Sequence, residues 1–184
     1  MRILVLGAGG TGGYFGGRLA QSGADVTFLV RPARAAQLGE HGLQIRSPLG
    51  DADVPVAHVL AEDLATLANK KPFNLVLLSC KAYDLHISLD AIAPAMSPQT
   101  TLLPILNGLL HFDVLDARFG RERVLGGLCF ISATKGPGGE ILHLAKPASI
   151  TFGERDGTAV SARVQAFAAM CEHAGIDHLA SPNI

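Results

Sequence analysis

The amino-acid sequence predicts an α/β fold of the Rossmann type, with a doubly wound, mostly parallel sheet covered by helices. Three observations predict it. Short continuous apolar runs alternate with segments of helical periodicity along the 184 residues, which is the pattern of βαβ units. The first apolar run leads into a cluster that holds seven of the 21 glycines, between Gly7 and Gly17. Finally, 48% hydrophobic residues supply enough apolar surface for a sizeable core, and 17% charged residues are too few for a disordered chain.

The first half of the chain opens with a strand at Ile3–Leu6, a continuous apolar run bounded by glycine, as expected of a strand buried on both faces. A helix is predicted over Thr11–Ser22, because apolar residues recur on one side and a glycine follows. Val26–Val30 is a second apolar run, and a proline suits the first turn of a short helix over Pro32–Leu38. Two short strands are then predicted around a turn at Pro48–Gly50: Leu43–Ile45 and Val54–Val56.

The second half repeats the alternation. Leu75–Ser79 is a strongly apolar strand followed by a helix over Tyr83–Ala91, and Thr101–Leu106 is the next strand. Pro104 inside that run indicates an edge strand or a strand end, because proline lacks the N–H that a ladder needs. The remaining predicted elements are a helix at His111–Phe119, strands at Cys129–Thr134 and Glu140–His143 around the Gly136–Gly139 turn, a strand at Ser149–Phe152 and a helix at Thr158–His173.

Composition also excludes several classes of protein. A net charge of −1 argues against a protein whose main task is to grip nucleic acid. No apolar stretch approaches the roughly 18 residues that span a bilayer, and the opening apolar run is too short for a signal peptide. The cysteines Cys80, Cys129 and Cys171 lie far apart and the seven histidines are dispersed, so neither a disulfide framework nor a metal site is expected. We therefore expect a cytoplasmic protein without a membrane or nucleic-acid partner.

The glycine cluster contains a Gly-x-Gly-x-x-Gly motif. Its residues are Gly7, Ala8, Gly9, Gly10, Thr11 and Gly12. The motif follows a predicted strand, opens a helix and precedes a second strand, which is the context that dinucleotide binding requires. Gly7 permits a tight turn, Gly9 lets the backbone approach a pyrophosphate, and Gly12 permits close packing of helix on strand. The alternative is an ordinary flexible loop. The further glycines of the helix cost about 1 kcal/mol each relative to alanine, so they predict a very close contact there.

The end of the second strand bears on the choice of dinucleotide. Proteins that bind NAD usually place an acidic residue there to hold the ribose 2′-hydroxyl. In this sequence Asp25 lies at the wrong end of the strand, while Arg31 follows it directly and Arg34 lies close by. Arginine can pair with a 2′-phosphate through charge-assisted bonds, which favours NADP, although arginines on loops are commonly just solvated.

Two further residues follow predicted strands and so point towards the same edge of the sheet. Lys81 comes after the strand that ends at Ser79, and Asn107 comes after the strand that ends at Leu106. Lys81 could instead be a surface lysine, and Asn107 could be the first residue of an Asn-Gly turn. His111 lies near Asn107, but a histidine at the start of a helix is more often structural than catalytic.

Several segments together resemble the ketopantoate reductases (2-dehydropantoate 2-reductases). The segments that carry the resemblance are Met1–Gly12, Arg31, Cys80–Tyr83, Leu106–Gly108, Ile131–Thr134, Gly138–Ile141 and Ile150–Gly153. The ordered set covers nearly the whole chain and is more specific than any single motif. The resemblance implies that residues 1–184 form an NADP-binding Rossmann domain and that the family's second, all-helical domain is absent from this chain.

The resemblance also implies an activity and a set of cofactor contacts. Gly7–Gly12 would hold the pyrophosphate and Arg31 the 2′-phosphate of NADP(H). Lys81, Asn107 and Ala133 would line the nicotinamide-ribose side, with Asn107 also near a 2-oxo acid substrate. The reaction implied is NADPH-dependent reduction of 2-dehydropantoate to pantoate, on the route to pantothenate and coenzyme A.

The chain departs from the family in two places. The family's general-acid lysine is expected beyond Ile184, so no catalytic residue is assigned here and the isolated chain is expected to be inactive. Leu109-Leu110 follows Asn107-Gly108, where the family usually has a further glycine. Two alternatives therefore stay open, a reductase of another oxo acid and a non-catalytic dinucleotide-binding module.

We also expect self-association or a homodimer. The apolar side of the last helix, near Val164, Phe167 and Met170, would be exposed if a second domain normally covers it.

Overall fold

The computed structural model describes residues 1–157, 159–182 and 184. Its strands are β1 (Arg2–Leu6), β2 (Asp25–Leu29), β3 (Leu43–Arg46), β4 (Ala52–Val54), β5 (Ala57–Val59), β6 (Leu75–Leu78), β7 (Thr101–Pro104), β8 (Gly126–Lys135), β9 (Ile141–Gly153) and β10 (Asp177–Ala180). Its helices are α1 (Gly10–Gln21), α2 (Pro32–His41), α3 (Ala61–Lys70), α4 (Leu85–Ile92), α5 (His111–Phe119) and α6 (Ala162–His173).

Five strands form the parallel sheet that the sequence predicts. Their order is β5-β2-β1-β6-β7, and every neighbouring pair is parallel. Successive side chains of β1 point to opposite faces of the sheet, with Ile3 and Val5 in one hydrophobic core and Leu4 in another. Residues of α1 and α2 join the first core, and residues of α3, α4 and α5 join the second. The doubly wound α/β prediction is confirmed.

A second, mixed sheet packs on the other side of α1. Its strands run β10-β9-β3-β4, and β8 pairs with β9 in an antiparallel hairpin. Inward residues of this sheet, such as Ile45, Ile141 and Phe152, lie in the same core as β1 and α1. The sequence predicted several of these strands but not that they form a separate sheet.

Helix α1 approaches both sheets closely because glycines face them. A Cβ on Gly16 would lie 2.9 Å from the Phe28 ring and from Val5 of the first sheet. A Cβ on Gly17 would lie 2.7 Å from Leu43 and 2.8 Å from Ile45 of the second sheet. The close contact predicted from these two costly glycines is confirmed.

Strand β9 corrects two of the predicted elements. The strands expected at Glu140–His143 and Ser149–Phe152 form a single strand, despite Pro147 between them. The β8–β9 register is irregular there, because Ile131 pairs with Ala148 whereas Ala133 pairs with His143. Pro147 lies in the extra segment opposite this irregularity, where the ladder needs no N–H donor.

Other elements differ from the predictions in simpler ways. The sequence reading missed β5, α3 and β10 altogether. The last helix begins at Ala162, and the expected start at Thr158 lies outside the described residues. The strand containing Pro104 ends at that residue and is an edge strand, as predicted.

The apolar side of α6 is not the exposed surface that the sequence predicted. Val164 and Phe167 are 0% and 1% exposed, because they pack into the core beside Phe152 of the second sheet. Met170 is partly buried against the same core. That part of the prediction is wrong.

None of the helices in the described part of the chain is both long enough and apolar enough to traverse a lipid bilayer.

Candidate functional site

The candidate site lies at the edge where the strands of the parallel sheet end. The residues after β1, β2, β6 and β7 meet there because parallel strands share one carboxyl edge. Two adjoining cavities of about 590 and 610 Å³ open at this edge, and Thr11, Ser79, Cys80 and Lys81 line both of them. We call the pair the carboxyl-edge cleft.

The cleft brings together every site residue predicted from the sequence. The first cavity is lined by Gly7, Ala8, Gly9, Gly10, Thr11, Gly12, Arg31, Lys81 and Ala133. Asn107 lines the second cavity together with Lys81. Residues more than a hundred positions apart in the sequence therefore face one continuous space.

The glycine-rich loop presents the start of α1 to the cleft. Gly7 adopts a φ of +81°, which favours glycine, and its N–H donates to the Leu29 carbonyl at 2.8 Å. Gly9 is the N-cap residue of α1, and no side chain caps the helix there. The first turn also contains no acidic residue. The unpaired N–H groups and positive end of the helix dipole therefore remain available to an anion.

Two glycines of the loop are surrounded so closely that no side chain fits. A Cβ on Gly10 would lie 2.5 Å from the carbonyl oxygen of Ala133 in β8. A Cβ on Gly12 would overlap Ser79 Oγ and lie 2.8 Å from the Gly7 carbonyl oxygen. Ser79 Oγ in turn donates to the Leu6 carbonyl at 2.9 Å. The predicted close packing at Gly12 is confirmed, and Gly10 brings the hairpin of the second sheet against the loop.

Two arginines lie at the start of α2, Arg31 as its N-cap residue and Arg34 in its first turn. Arg31 is exposed, and its side chain has no hydrogen-bond or ionic partner among the described residues. Arg34 is half-buried and donates from Nε to the Ala8 carbonyl at 3.1 Å and from Nη1 to the Gly139 carbonyl at 2.6 Å. Asp25 lies at the start of β2, at the opposite edge, where it contacts Lys71 at 2.8 Å. No acidic residue therefore follows β2, as the sequence indicated.

The charge of the first cavity is mainly positive. Among the described residues, four basic side chains line it, and Asp84 is its one acidic side chain. The basic residues are Arg31, Arg34, Lys81 and Lys135. An anionic ligand is favoured in a concave site lined by charge of the opposite sign.

The second cavity combines exposed polar side chains with a buried histidine. Lys81 and Asn107 are exposed, with Lys81 Nζ 5.9 Å from the Tyr83 ring centre. Gly108 has a φ of +91°, which favours glycine, and the chain bends at Asn107 and Gly108. His111 is 7% exposed and its Nε2 has no partner among the described residues. Burial lowers the pKa of His111, and the positive charge of Arg155 lowers it further, so the neutral imidazole is favoured.

The cysteines near the cleft are poor nucleophiles. Burial raises the pKa of Cys80, and it raises the pKa of Cys129 to about 11. Both thiols therefore stay protonated near neutral pH, where only the thiolate is reactive. All three cysteines of the chain are free.

A third cavity of about 600 Å³ lies away from these residues. It is bordered by the C-terminal ends of α1 and α6, at Ser22 and Ala174. Helix C-termini carry partial negative charge, which disfavours phosphate. Arg18 and Lys146 also line this cavity. The carboxyl-edge cleft is the better candidate for a phosphorylated ligand because the uncapped N-terminus of α1 opens into it.

The sequence reading missed several residues that line the cleft. Ser79 and Lys135 were not singled out, although Ser79 closes a buried strand and Lys135 precedes the glycine-rich turn. Arg34 was noted, but its bond to Gly139 joins residues 105 positions apart and leaves no signal in the sequence.

Comparisons with known proteins identify relatives of this arrangement. The family model described as ketopantoate reductase PanE/ApbA matches residues 3–157. An uncharacterized oxidoreductase of Bacillus subtilis, YkpB, is 41% identical over 157 residues, which are 85% of this chain and 50% of that protein. The chain spans about half the length of the curated relatives that it matches.

Solved structures show the same fold. The 2-dehydropantoate 2-reductase of Geobacter metallireducens is 33% identical with a TM-score of 0.86, and the match covers 99% of this chain and 58% of that one. A D-mandelate dehydrogenase solved with NADH is 27% identical with a TM-score of 0.80, covering 100% of this chain and 56% of that one. The glycine-rich loop, the parallel sheet and the match over residues 3–157 thus agree, and the chain belongs to the ketopantoate reductase PanE/ApbA family of oxidoreductases.

Proposed function

We propose that residues 1–184 form the NADP(H)-binding domain of an enzyme that reduces 2-dehydropantoate to pantoate. The observation that carries the cofactor assignment is the pairing of an uncapped α1 N-terminus with Arg31 after β2. The helix N-terminus suits a pyrophosphate, and Arg31 stands where an NAD-binding domain usually has an acidic residue. Family membership supports the reductase activity.

The residues of the carboxyl-edge cleft fit the cofactor as follows. The loop from Gly7 to Gly12 would hold the pyrophosphate through backbone N–H groups, and Arg31 would bind the 2′-phosphate. Lys81, Asn107 and Ala133 would line the nicotinamide-ribose side of the cleft. NADPH, when bound, supplies a hydride. The chain's own residues would bind and orient the cofactor, and Asn107 would lie beside a 2-oxo acid.

We propose that the proton for the ketone oxygen comes from a lysine outside these 184 residues. A general acid typically contributes about 10²–10⁴-fold to a rate. The isolated chain would therefore bind NADPH and turn over little or nothing, and we place the whole enzyme in the cytoplasm on a route to pantothenate.

A titration tests the cofactor assignment. The chain contains no tryptophan, so binding is best followed by nicotinamide fluorescence or by calorimetry. We expect NADPH to bind at least about tenfold more tightly than NADH, because charge-assisted hydrogen bonds contribute about 1.5–3 kcal/mol each. Equal affinity for the two, or no binding, contradicts the proposal.

A second candidate keeps the cofactor and changes the substrate. Leu109 and Leu110 are 77% and 92% exposed beside Asn107, so the rim of the second cavity is unusually apolar. An apolar rim favours an oxo acid with a larger apolar group, and one solved relative is a D-mandelate dehydrogenase. Comparing 2-dehydropantoate with phenylglyoxylate in the full-length enzyme distinguishes the two, since the preferred substrate has the higher kcat/KM.

A further inference from the structure

Arg34 carries a charge that forms no ion pair in the described part of the chain. Its guanidinium donates to three neutral oxygens, those of Ala8, Gly139 and the Gln37 side chain, the last at 3.2 Å. No carboxylate in the described residues lies within salt-bridge distance of it. A partly buried charge without a directly paired counter-charge is costly, so an anion that binds beside Arg34 is stabilised.

A second observation also points to an anion. Nη2 of Arg34 is buried and has no hydrogen-bond partner among the described residues, and the side chain lines the carboxyl-edge cleft. Burial lowers the pKa of Arg34, and the negative charge of Glu140 offsets this only in part. Buried donors are almost always paired in native proteins, so an unpaired guanidinium nitrogen on a side chain that lines a ligand cleft indicates a missing acceptor.

The bonds of Arg34 also fix its position. Nε holds the glycine-rich loop at Ala8, and Nη1 holds the hairpin turn at Gly139, so the guanidinium bridges the two sheets. Exposed Arg31 has no such restraint. A pre-positioned donor loses less conformational entropy on binding than a free one.

We propose that Arg34 is a specificity-determining residue for the 2′-phosphate of NADP(H), and that it contributes more to the preference for NADPH over NADH than Arg31 does. The inference rests on the proposed NADP(H)-binding function. Arg34 supplies a fixed positive charge at the first turn of α2, where the helix N-terminus also favours an anion.

The test compares R34Q, R31Q and R34K with the wild-type 184-residue chain, measuring the dissociation constants of NADPH and NADH. We expect R34Q to weaken NADPH about 10- to 100-fold and NADH less than about 2-fold, as the loss of one charged hydrogen-bond donor predicts. R31Q should have the smaller effect, and R34K should recover part of the NADPH affinity because it keeps the charge. K70Q is the control, because it removes an exposed positive charge at the end of α3, at the opposite edge of the sheet.

Several outcomes would overturn the inference. If R34Q weakens NADPH and NADH by the same factor, Arg34 is only a structural bridge. If R34Q leaves the preference of the wild type unchanged, or R31Q has the larger effect, the inference is wrong while the NADP(H) assignment stands. A wild-type chain that binds both cofactors equally overturns the NADP(H) assignment and this inference with it.

A second variant keeps the test decisive if R34Q does not fold. E140Q removes the negative charge near Arg34 without touching the guanidinium or its bonds. We expect NADPH to bind about twofold more tightly to E140Q and NADH to be unchanged, as removal of a screened like charge near the phosphate predicts. Equal changes for the two cofactors, or none for either, count against Arg34.

Discussion

At the scale of single residues, the glycines of the loop are required for different physical reasons. Gly7 is needed for its φ of +81°, and Gly12 is needed because a side chain there would overlap Ser79 Oγ. Gly9 is different, since it has an ordinary φ of −91° and a Cβ on it would meet no atom within 4 Å. Its small size has no use within the chain itself, which agrees with a ligand that occupies the space.

This difference predicts that the same substitution at the two positions affects different properties, NADPH binding at Gly9 and stability at Gly12. G9A should change the free energy of unfolding by less than about 0.5 kcal/mol, because the added methyl group meets nothing in the protein. It should weaken NADPH binding at least about tenfold, because the methyl group takes the place of the pyrophosphate. G12A should instead lower the stability by about 1–3 kcal/mol, through overpacking against Ser79. Urea unfolding and NADPH titration of both variants check this, and normal NADPH affinity in a folded G9A would contradict the assigned place of the pyrophosphate.

At the scale of elements, α1 lies between two sheets and uses one glycine against each. Gly16 faces the Phe28 ring and Val5, whereas Gly17 faces the ends of flexible side chains, Leu43 and Ile45. A rigid ring cannot move aside as easily as the end of a leucine or isoleucine. Gly16 is therefore the more sensitive of the two positions.

The sensitivity of Gly16 can be measured against a matched glycine in α2. G16A gains about 1 kcal/mol of helix propensity but costs about 1–3 kcal/mol of overpacking, so we expect a net loss of up to about 2 kcal/mol. Gly39 is exposed, and the nearest atom to a Cβ on it is His58 Cε1 at 4.0 Å. G39A should therefore stabilise the protein by about 0.5–1 kcal/mol. Thermal or urea unfolding of the two variants gives the signs directly, and a stabilising G16A would refute the close contact.

A cluster of charge and hydroxyl groups anchors the start of α6. Glu154 accepts from Arg163 at 2.6 and 2.7 Å and from Ser161 Oγ at 2.6 Å. Ser161 is also the N-cap of α6, accepting from the Val164 N–H at 3.4 Å. Hydrogen bonds from Arg163 hold the pKa of Glu154 below its ordinary value, despite the opposing effect of burial.

The Glu154 cluster predicts a pH-dependent contribution to stability. Because the pKa of Glu154 is lowered in the folded state, its contribution is fully present above about pH 4.5 and is lost as the pH falls through the lower folded value. E154Q should therefore cost about 1–3 kcal/mol at pH 7 and progressively less below pH 4.5. Urea unfolding of both proteins at pH 7 and pH 3.5 measures the difference, and a deficit of the same size at both pH values would exclude this role for the carboxylate.

Four strands of the parallel sheet, β1, β2, β6 and β7, could be predicted because their residues are mostly buried, which makes them continuous apolar runs such as Leu75–Leu78. The edge strand β5 could not, because only one of its three residues is buried. Strands such as β10, Asp-His-Leu-Ala, could not, because pairing with β9 rather than their own apolar content holds them in the sheet. Helix α3 has only Leu64 and Ala68 buried, so its periodicity is weak. Most candidate site residues could be predicted because they follow strands, whereas Ala133 lies within β8 and was assigned from the family resemblance alone. The bond between Arg34 and Gly139 depends on tertiary structure alone.

At the scale of the whole molecule, one face of the second sheet carries exposed apolar side chains. Leu128 and Phe130 of β8 are 45% and 66% exposed, and Leu179 of β10 is 59% exposed. Thr151 of β9 pairs with both Leu128 and Leu179, so the three strands present these residues on one face. Contiguous apolar patches on a soluble surface commonly mark contact sites.

We expect the isolated chain to self-associate through this face rather than through α6. The double variant L128T/F130T keeps residues that favour strands and removes two of the three apolar side chains of the patch, so it should be less associated at high concentration. L49S is the control, because Leu49 is 55% exposed in a turn outside the sheet. Light scattering across a concentration series compares the three proteins, and a wild type that stays monomeric throughout would count against this expectation.

The contact of Gly10 with Ala133 links occupancy of the loop to the stability of the hairpin. Any ligand that binds the folded loop adds RT ln(1 + [L]/Kd) to the free energy of opening, about 2.7 kcal/mol at a hundred times its Kd. Because β8 packs against the backbone of the glycine-rich loop, part of this added free energy of opening must appear as slower amide hydrogen exchange at residues 133–135. The dinucleotide would thus stabilise the β8–β9 hairpin together with the glycine-rich loop.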